Sequence, residues 1–181
     1  MTGAAGPTRV GGADRDPLVV TLGLAPEAQR RFDRERAALF PPGPTQVGAH
    51  VTLFHAVPGE HLATVIADVR EAARVPPFPV RVVGLVSLGR GVAYRLESGP
   101  LTALHGRLRG RWSRWLTRQD SQPFSPHVTV QNKVTPEEAR LTLERLRVGF
   151  TAFDVAATGL QLWRYRGGPW ESVCEAGFSA D

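Results

Sequence analysis

Cysteine is almost missing from this chain. Cys174 stands alone among 181 residues, so no intrachain disulfide can form and no paired-cysteine metal site can be built, and a reducing, cytoplasmic setting is expected. Lysine is as scarce. Lys133 is one of 22 basic residues and the others are arginine. No apolar run is long enough to span a bilayer, and the N-terminus lacks the apolar segment of a secretory signal. Histidines and carboxylates at metal-ligand spacing are also wanting, so neither a metal nor another cofactor is expected.

What is present reads as one globular domain. The apolar fraction of 42% is ordinary, and the formal charge of +5 suits an anionic partner without requiring one. Residues 1–17, rich in glycine and alanine, read as a disordered tail, and residues 18–181 as a single domain acting as a monomer. Strands are expected at Leu18–Leu24, Phe78–Leu88, Gly91–Glu97, Phe150–Tyr165 and Trp170–Phe178. Helices are expected from Pro26 to Phe40, Glu60 to Arg74 and Leu101 to Arg118, the last burying Leu101, Leu104, Leu108 and Trp115. A fourth helix opens at Thr135-Pro136-Glu137-Glu138, a capping box with proline at the first helical position.

One pattern occurs twice. His50-Val51-Thr52-Leu53 and His127-Val128-Thr129-Val130 each place a histidine and a threonine on one face of a strand and apolar residues on the other. Their surroundings repeat too. Phe78-Pro79-Val80 through Gly84-Leu85 follows the first copy, and Phe153-Asp154-Val155 through Gly159-Leu160 follows the second. Each half therefore reads strand, helix, His-x-Thr strand, helix, strand, which predicts a duplicated α+β domain with two similar, mostly antiparallel sheets. Two imidazoles can take a proton on one side of a phosphodiester and give one on the other, while threonine hydroxyls donate to its non-bridging oxygens.

On these motifs the chain resembles the two-histidine (2H) phosphoesterases, the RNA 2′,3′-cyclic phosphodiesterase and 2′-5′ RNA ligase-like proteins. The likeness runs from about Leu18 to Phe178, and Phe124-x-Pro126-His127-Val128-Thr129 is its closer motif. It implies two pseudo-symmetric lobes around a central cleft. It also implies metal-independent chemistry on cyclic phosphates of RNA ends or small nucleotides, with His50, Thr52, His127 and Thr129 as the catalytic set. The likeness leans to His127 as base and His50 as acid. Members acting on RNA often have phenylalanine where this chain has His55 and arginine where it has Asn132, which leaves the substrate open. Ligation of 2′-5′ RNA ends and non-catalytic binding of RNA or a nucleotide on the same fold are the alternatives.

Strand alternation carries Phe54 and Gln131 into the same cleft, Phe54 either as a surface for a base or as an aromatic closing the strand end, with Lys133 beside them as a substrate contact. His55 falls on the face opposite His50. His61 and His105 read as surface residues on helices, and Arg107, Arg111, Arg114 and Arg118 as a solvated helical stripe. Trp163 reads as core, with base stacking as the second reading, and Gly89-Arg90-Gly91 as a hairpin turn.

Overall fold

The computed structural model describes residues 15–41, 43 and 47–180. Most of the expected tail lies outside the described residues. Its last residues are tied down, since Asp16 pairs with Arg166 at 3.2 Å and the Pro17 carbonyl accepts from the Tyr165 amide.

Eleven main elements follow in the expected order: β1 (Leu18–Leu24), α1 (Pro26–Leu39), β2 (Val51–Val57), α2 (Leu62–Ala72), β3 (Phe78–Ser87), β4 (Val92–Glu97), α3 (Gly99–Trp112), β5 (His127–Gln131), α4 (Pro136–Arg147), β6 (Phe153–Tyr165) and β7 (Trp170–Gly177). A 3-10 turn at Gly59–His61 leads into α2. The α4 capping box forms in full, with Thr135 and Glu138 each satisfying the other's backbone amide. Gly89 takes a φ of 79° in the β3–β4 turn, where the Leu88 amide donates to Gly91.

The two expected sheets are joined into one. Its antiparallel strands run β1-β2-β5-β4-β3-β6, and β6 returns to pair with β1, which closes a ring. The long β6 makes this possible. One edge pairs with β1, while the other takes β3 along Phe153–Ala157 and then β7 along Gly159–Tyr165. Exchanging β1, β2 and β3 for β4, β5 and β6 maps each pairing in the ring onto another. The pairings of the ring are thus related by a pseudo-twofold axis, which passes between β2 and β5.

The first helix of each half crosses to the other half. Helix α1 lies on β5, and α3 lies on β2, where Trp112 and His105 meet the ring of Phe54 at 4.9 and 4.6 Å. Helix α2 joins α3, through Trp112 Nε1 donating to Asp68 and Arg111 bridging Asp68 and Glu71. Helix α4 covers β3 and β4. Leu101, Leu104 and Leu108 on α3 are buried, each contributing about 1.5–3 kcal/mol.

Helix α3 is shorter than its periodicity predicts. It ends at Trp112, which takes the buried position expected of Trp115, and the arginine stripe is broken because Arg114 and Arg118 lie past its end. The chain leaves the helix to deliver Asp120 to β2. Past its pairing with β5, β2 has backbone amides to satisfy, and the buried Asp120 carboxylate accepts from His55 N at 2.8 Å and Ala56 N at 2.9 Å. His55 Nδ1 adds a third contact at 3.0 Å. Burial pushes this carboxyl up, but the bonds from His55 and Ala56 hold it below its ordinary range. His105 is likewise no surface residue. It is sandwiched, nearly parallel, between Phe54 and Phe124, and His61 stacks on Trp115 at 3.7 Å.

Candidate active site

Strands β2 and β5 meet at one pair, Val51 opposite Val128. Both valines are fully buried. Carried one residue to each side, that antiparallel register turns His50 toward Thr129 and Thr52 toward His127. All four side chains are half-buried on the face opposite the valines. The pairing that seals the ring therefore brings the two copies of the motif together.

The two histidines are held alike. His50 Nδ1 lies 2.8 Å from the carbonyl of Gly48, and His127 Nδ1 lies 2.9 Å from the carbonyl of Ser125. A carbonyl oxygen only accepts, so in each ring Nδ1 carries the hydrogen and Nε2 is left for chemistry. Burial lowers the pKa of His50. The Gly48 carbonyl opposes this, and the positive charges of Arg36, His127 and His55 push it further down. His50 therefore favours its neutral form.

Helix α1 positions both motifs from one face, through residues spaced i, i+4 and i+7. Asp33 accepts from the amide of Ala49 at 2.7 Å, and Gln29 Nε2 donates to the Ala49 carbonyl at 2.7 Å. These bonds fix the backbone that supplies the acceptor for His50. A Cβ at Gly48 would sit 2.7 Å from Asp33 Oδ1, so any side chain there would push aside the carboxylate that holds Ala49. One turn on, Arg36 Nη1 donates to the Thr129 carbonyl at 2.8 Å on the other motif strand. The opposite side of α1 is anchored by Glu35, which accepts from the Tyr94 hydroxyl at 2.6 Å.

The expected substrate contacts need correction. Phe54 and Gln131 are buried, and neither enters the cleft. In β2, Thr52 faces Thr21 but Phe54 faces Val20, so one extra residue is inserted. In β5, Thr129 faces Ala93 but Gln131 faces Val92, the same insertion at the same motif position. A β-bulge directly after each His-x-Thr reverses the alternation. Phe54 thereby stacks on His105, and Gln131 Nε2 donates to Thr142 on α4 at 3.0 Å. Lys133 lies on a cavity rim near His50, with a left-handed φ of 63°.

That cavity, about 530 Å³, is lined by Arg36, Phe40, His50, Thr129, Asn132 and Lys133 and by the β6–β7 turn around Gly167-Gly168-Pro169-Trp170. Trp170 stands against the His50 ring, with centroids 4.8 Å apart, and divides it from a second cavity of about 250 Å³ containing Thr21, Gln161 and Trp163. Trp163 is half-buried rather than core, its indole donating to Thr21 at 2.8 Å. Sequence reasoning missed Arg36, Asp33, Gln29 and Trp170. The three α1 residues share a helical face, but nothing in the sequence says that it faces the motif strands.

Among the described residues there is no cluster of three or more histidines, cysteines or carboxylates able to hold a metal, and no helix long and apolar enough to cross a membrane.

The comparisons agree with this fold. The structure resembles TT0787 of Thermus thermophilus, with a TM-score of 0.63 at 19% identity, covering 90% of this chain and 97% of that one. It also resembles E. coli LigT complexed with 3′-AMP, with a TM-score of 0.60 at 19% identity over 91% and 99% of the two chains. LigT complexed with NADP+ gives a TM-score of 0.58 at 17% identity over 92% and 99%. No curated protein sequence matches the chain. The sequence model of the 2′-5′ RNA ligase superfamily matches residues 24–169, a span that holds both His-x-Thr strands and the α1 helix joining them. With that match over most of its length, the chain belongs to the 2′-5′ RNA ligase superfamily, the two-histidine phosphoesterases.

Proposed function

We propose that the protein is a metal-independent phosphoesterase that opens 2′,3′-cyclic phosphates of RNA ends or small nucleotides. The observation that carries this reading is the matched pair of histidines, each with Nδ1 bound to the carbonyl two residues back and Nε2 free. A cyclic phosphate seated between them would receive water on one side. His127 takes the proton of that water as its oxygen bonds to phosphorus, the bond from phosphorus to one ribose oxygen breaks, and His50 gives that oxygen a proton. Thr52 and Thr129 donate to the non-bridging oxygens as charge develops there. Because burial favours a neutral His50, its acid role requires the substrate's negative charge to return the proton.

The test is incubation with nucleoside 2′,3′-cyclic phosphates and cyclic-phosphate-ended RNA in EDTA, with product identification. Replacement of either histidine by alanine should lower turnover at least about 10²-fold. A substrate whose leaving group departs unprotonated should rescue His50→Ala and leave His127→Ala slow. Rescue of His127→Ala instead reverses the roles, and loss of wild-type turnover in EDTA with recovery in Mn²⁺ removes the metal-free mechanism. Joining of 2′-5′ ends without hydrolysis in the same panel identifies a ligase.

A further inference from the structure

We propose that the cavity beside His50 binds a second phosphate of the substrate, distinct from the one that reacts. The inference rests on the cyclic-phosphate reading of the His-x-Thr quartet and concerns what lies next to it. At about 530 Å³ the cavity far exceeds the reacting group it adjoins. It includes His50 and Thr129 but not Thr52 or His127, so it extends to one side of the quartet.

Its charge has one sign. Arg36 and Lys133 line it, and no carboxylate is among the described residues that do. Arg36 is held in place rather than free to swing. Its Nη1 is bound to the Thr129 carbonyl at 2.8 Å and its guanidinium lies over Phe40 at 4.0 Å. Its Nε is buried and has no hydrogen-bond partner among the described residues. Closed to solvent, Nε is closed to a ligand as well, so the Nη groups are what a phosphate can meet. Guanidinium donors in a fixed fork match phosphate geometry. Across the rim, Lys133 is exposed in a left-handed conformation that a non-glycine residue rarely adopts. Its amide is bound by the Asn132 side chain at 2.8 Å, which leaves the ammonium to reach over the cavity as a second point charge.

Calorimetry on the full chain at low salt separates the two phosphates without needing turnover. The ligands are adenosine 2′-monophosphate, adenosine 2′,5′-bisphosphate and a short oligoribonucleotide ending in a 2′-phosphate. The bisphosphate should bind at least tenfold more tightly than the monophosphate. That ratio should fall below about threefold in Arg36→Met and in Lys133→Gly, the latter keeping the left-handed backbone and removing only the charge. Equal affinity for the two nucleotides in the unmodified protein overturns the proposal, as does a ratio that survives in both variants. Tighter binding of the oligoribonucleotide than of the bisphosphate assigns the second phosphate to an RNA chain, and weaker binding assigns it to a small nucleotide. A preserved bisphosphate preference without hydrolysis of any cyclic phosphate would refute the proposed activity while leaving the second-phosphate site standing.

Discussion

The proton on His50 gives the sharpest test of how the site works. Burial, Arg36 and His127 all favour the neutral ring, yet the acid role needs the charged one. A phosphate anion about 4 Å away, at the effective dielectric of a protein surface, favours the imidazolium by about 4 kcal/mol. The ring is only half-buried, so solvent screening removes part of this, and a clear rise in the His50 pKa on phosphate binding is expected. The experiment is an NMR titration of the histidine rings, first without phosphate and then with inorganic phosphate or a nucleoside 2′-phosphate at saturation. Nδ1 should remain protonated throughout, since the Gly48 carbonyl holds it, and the titrating atom should be Nε2. By linkage, phosphate affinity should fall as pH rises through the elevated value. A His50 pKa that stays put while phosphate saturates the site would refute substrate-loaded acid catalysis.

Three further outcomes test the framework. Asp33→Ala removes an anionic acceptor from the Ala49 amide. It should cost about 2 kcal/mol in urea unfolding and lower kcat more than tenfold by loosening Gly48, with Asp33→Asn restoring most of both. Phe54→Leu should cost about 1–2 kcal/mol and leave KM within twofold, because the bulge turns the ring into the core; a large rise in KM at unchanged stability would return Phe54 to the cleft. His50 and His105 both have pKa values lowered from 6.5 in the fold, chiefly by burial. Below about that pH the unfolded chain binds more protons, so urea stability should fall as pH drops from 7.5 toward 5. His105→Phe should flatten that slope, and an unchanged slope would mean that His105 is no part of the acid sensitivity.

Much of this was legible because it is local. The His-x-Thr pair, the repeated Phe-to-Gly-Leu segments and the Thr135–Glu138 box are each written within a dozen residues, and the element order follows from them. Phe54 and Gln131 were misplaced for a definite reason. Period-two alternation assumes an unbroken ladder, and a bulge is set by the partner strands, Val20 for one and Val92 for the other. The end of α3 was overrun because helical spacing continues to Trp115, whereas the chain stops to carry Asp120 to amides 65 and 64 residues away. Arg36 escaped notice for a similar reason. Its acceptor lies on a strand of the opposite half, and no spacing in the sequence encodes that crossing.

The pseudo-twofold axis has a consequence for the direction in which a substrate is read. Close to the axis, the two histidines are held alike, each with Nδ1 against the carbonyl two residues back. A nucleotide has a head and a tail, so something away from the axis must tell them apart. Strand β7 has no counterpart in the first half, and its leading turn with Trp170 covers the His50 side. This addition to the ring joins Arg36 and Lys133 on the His50 side, so under the proposed activity they would together seat a nucleotide one way round.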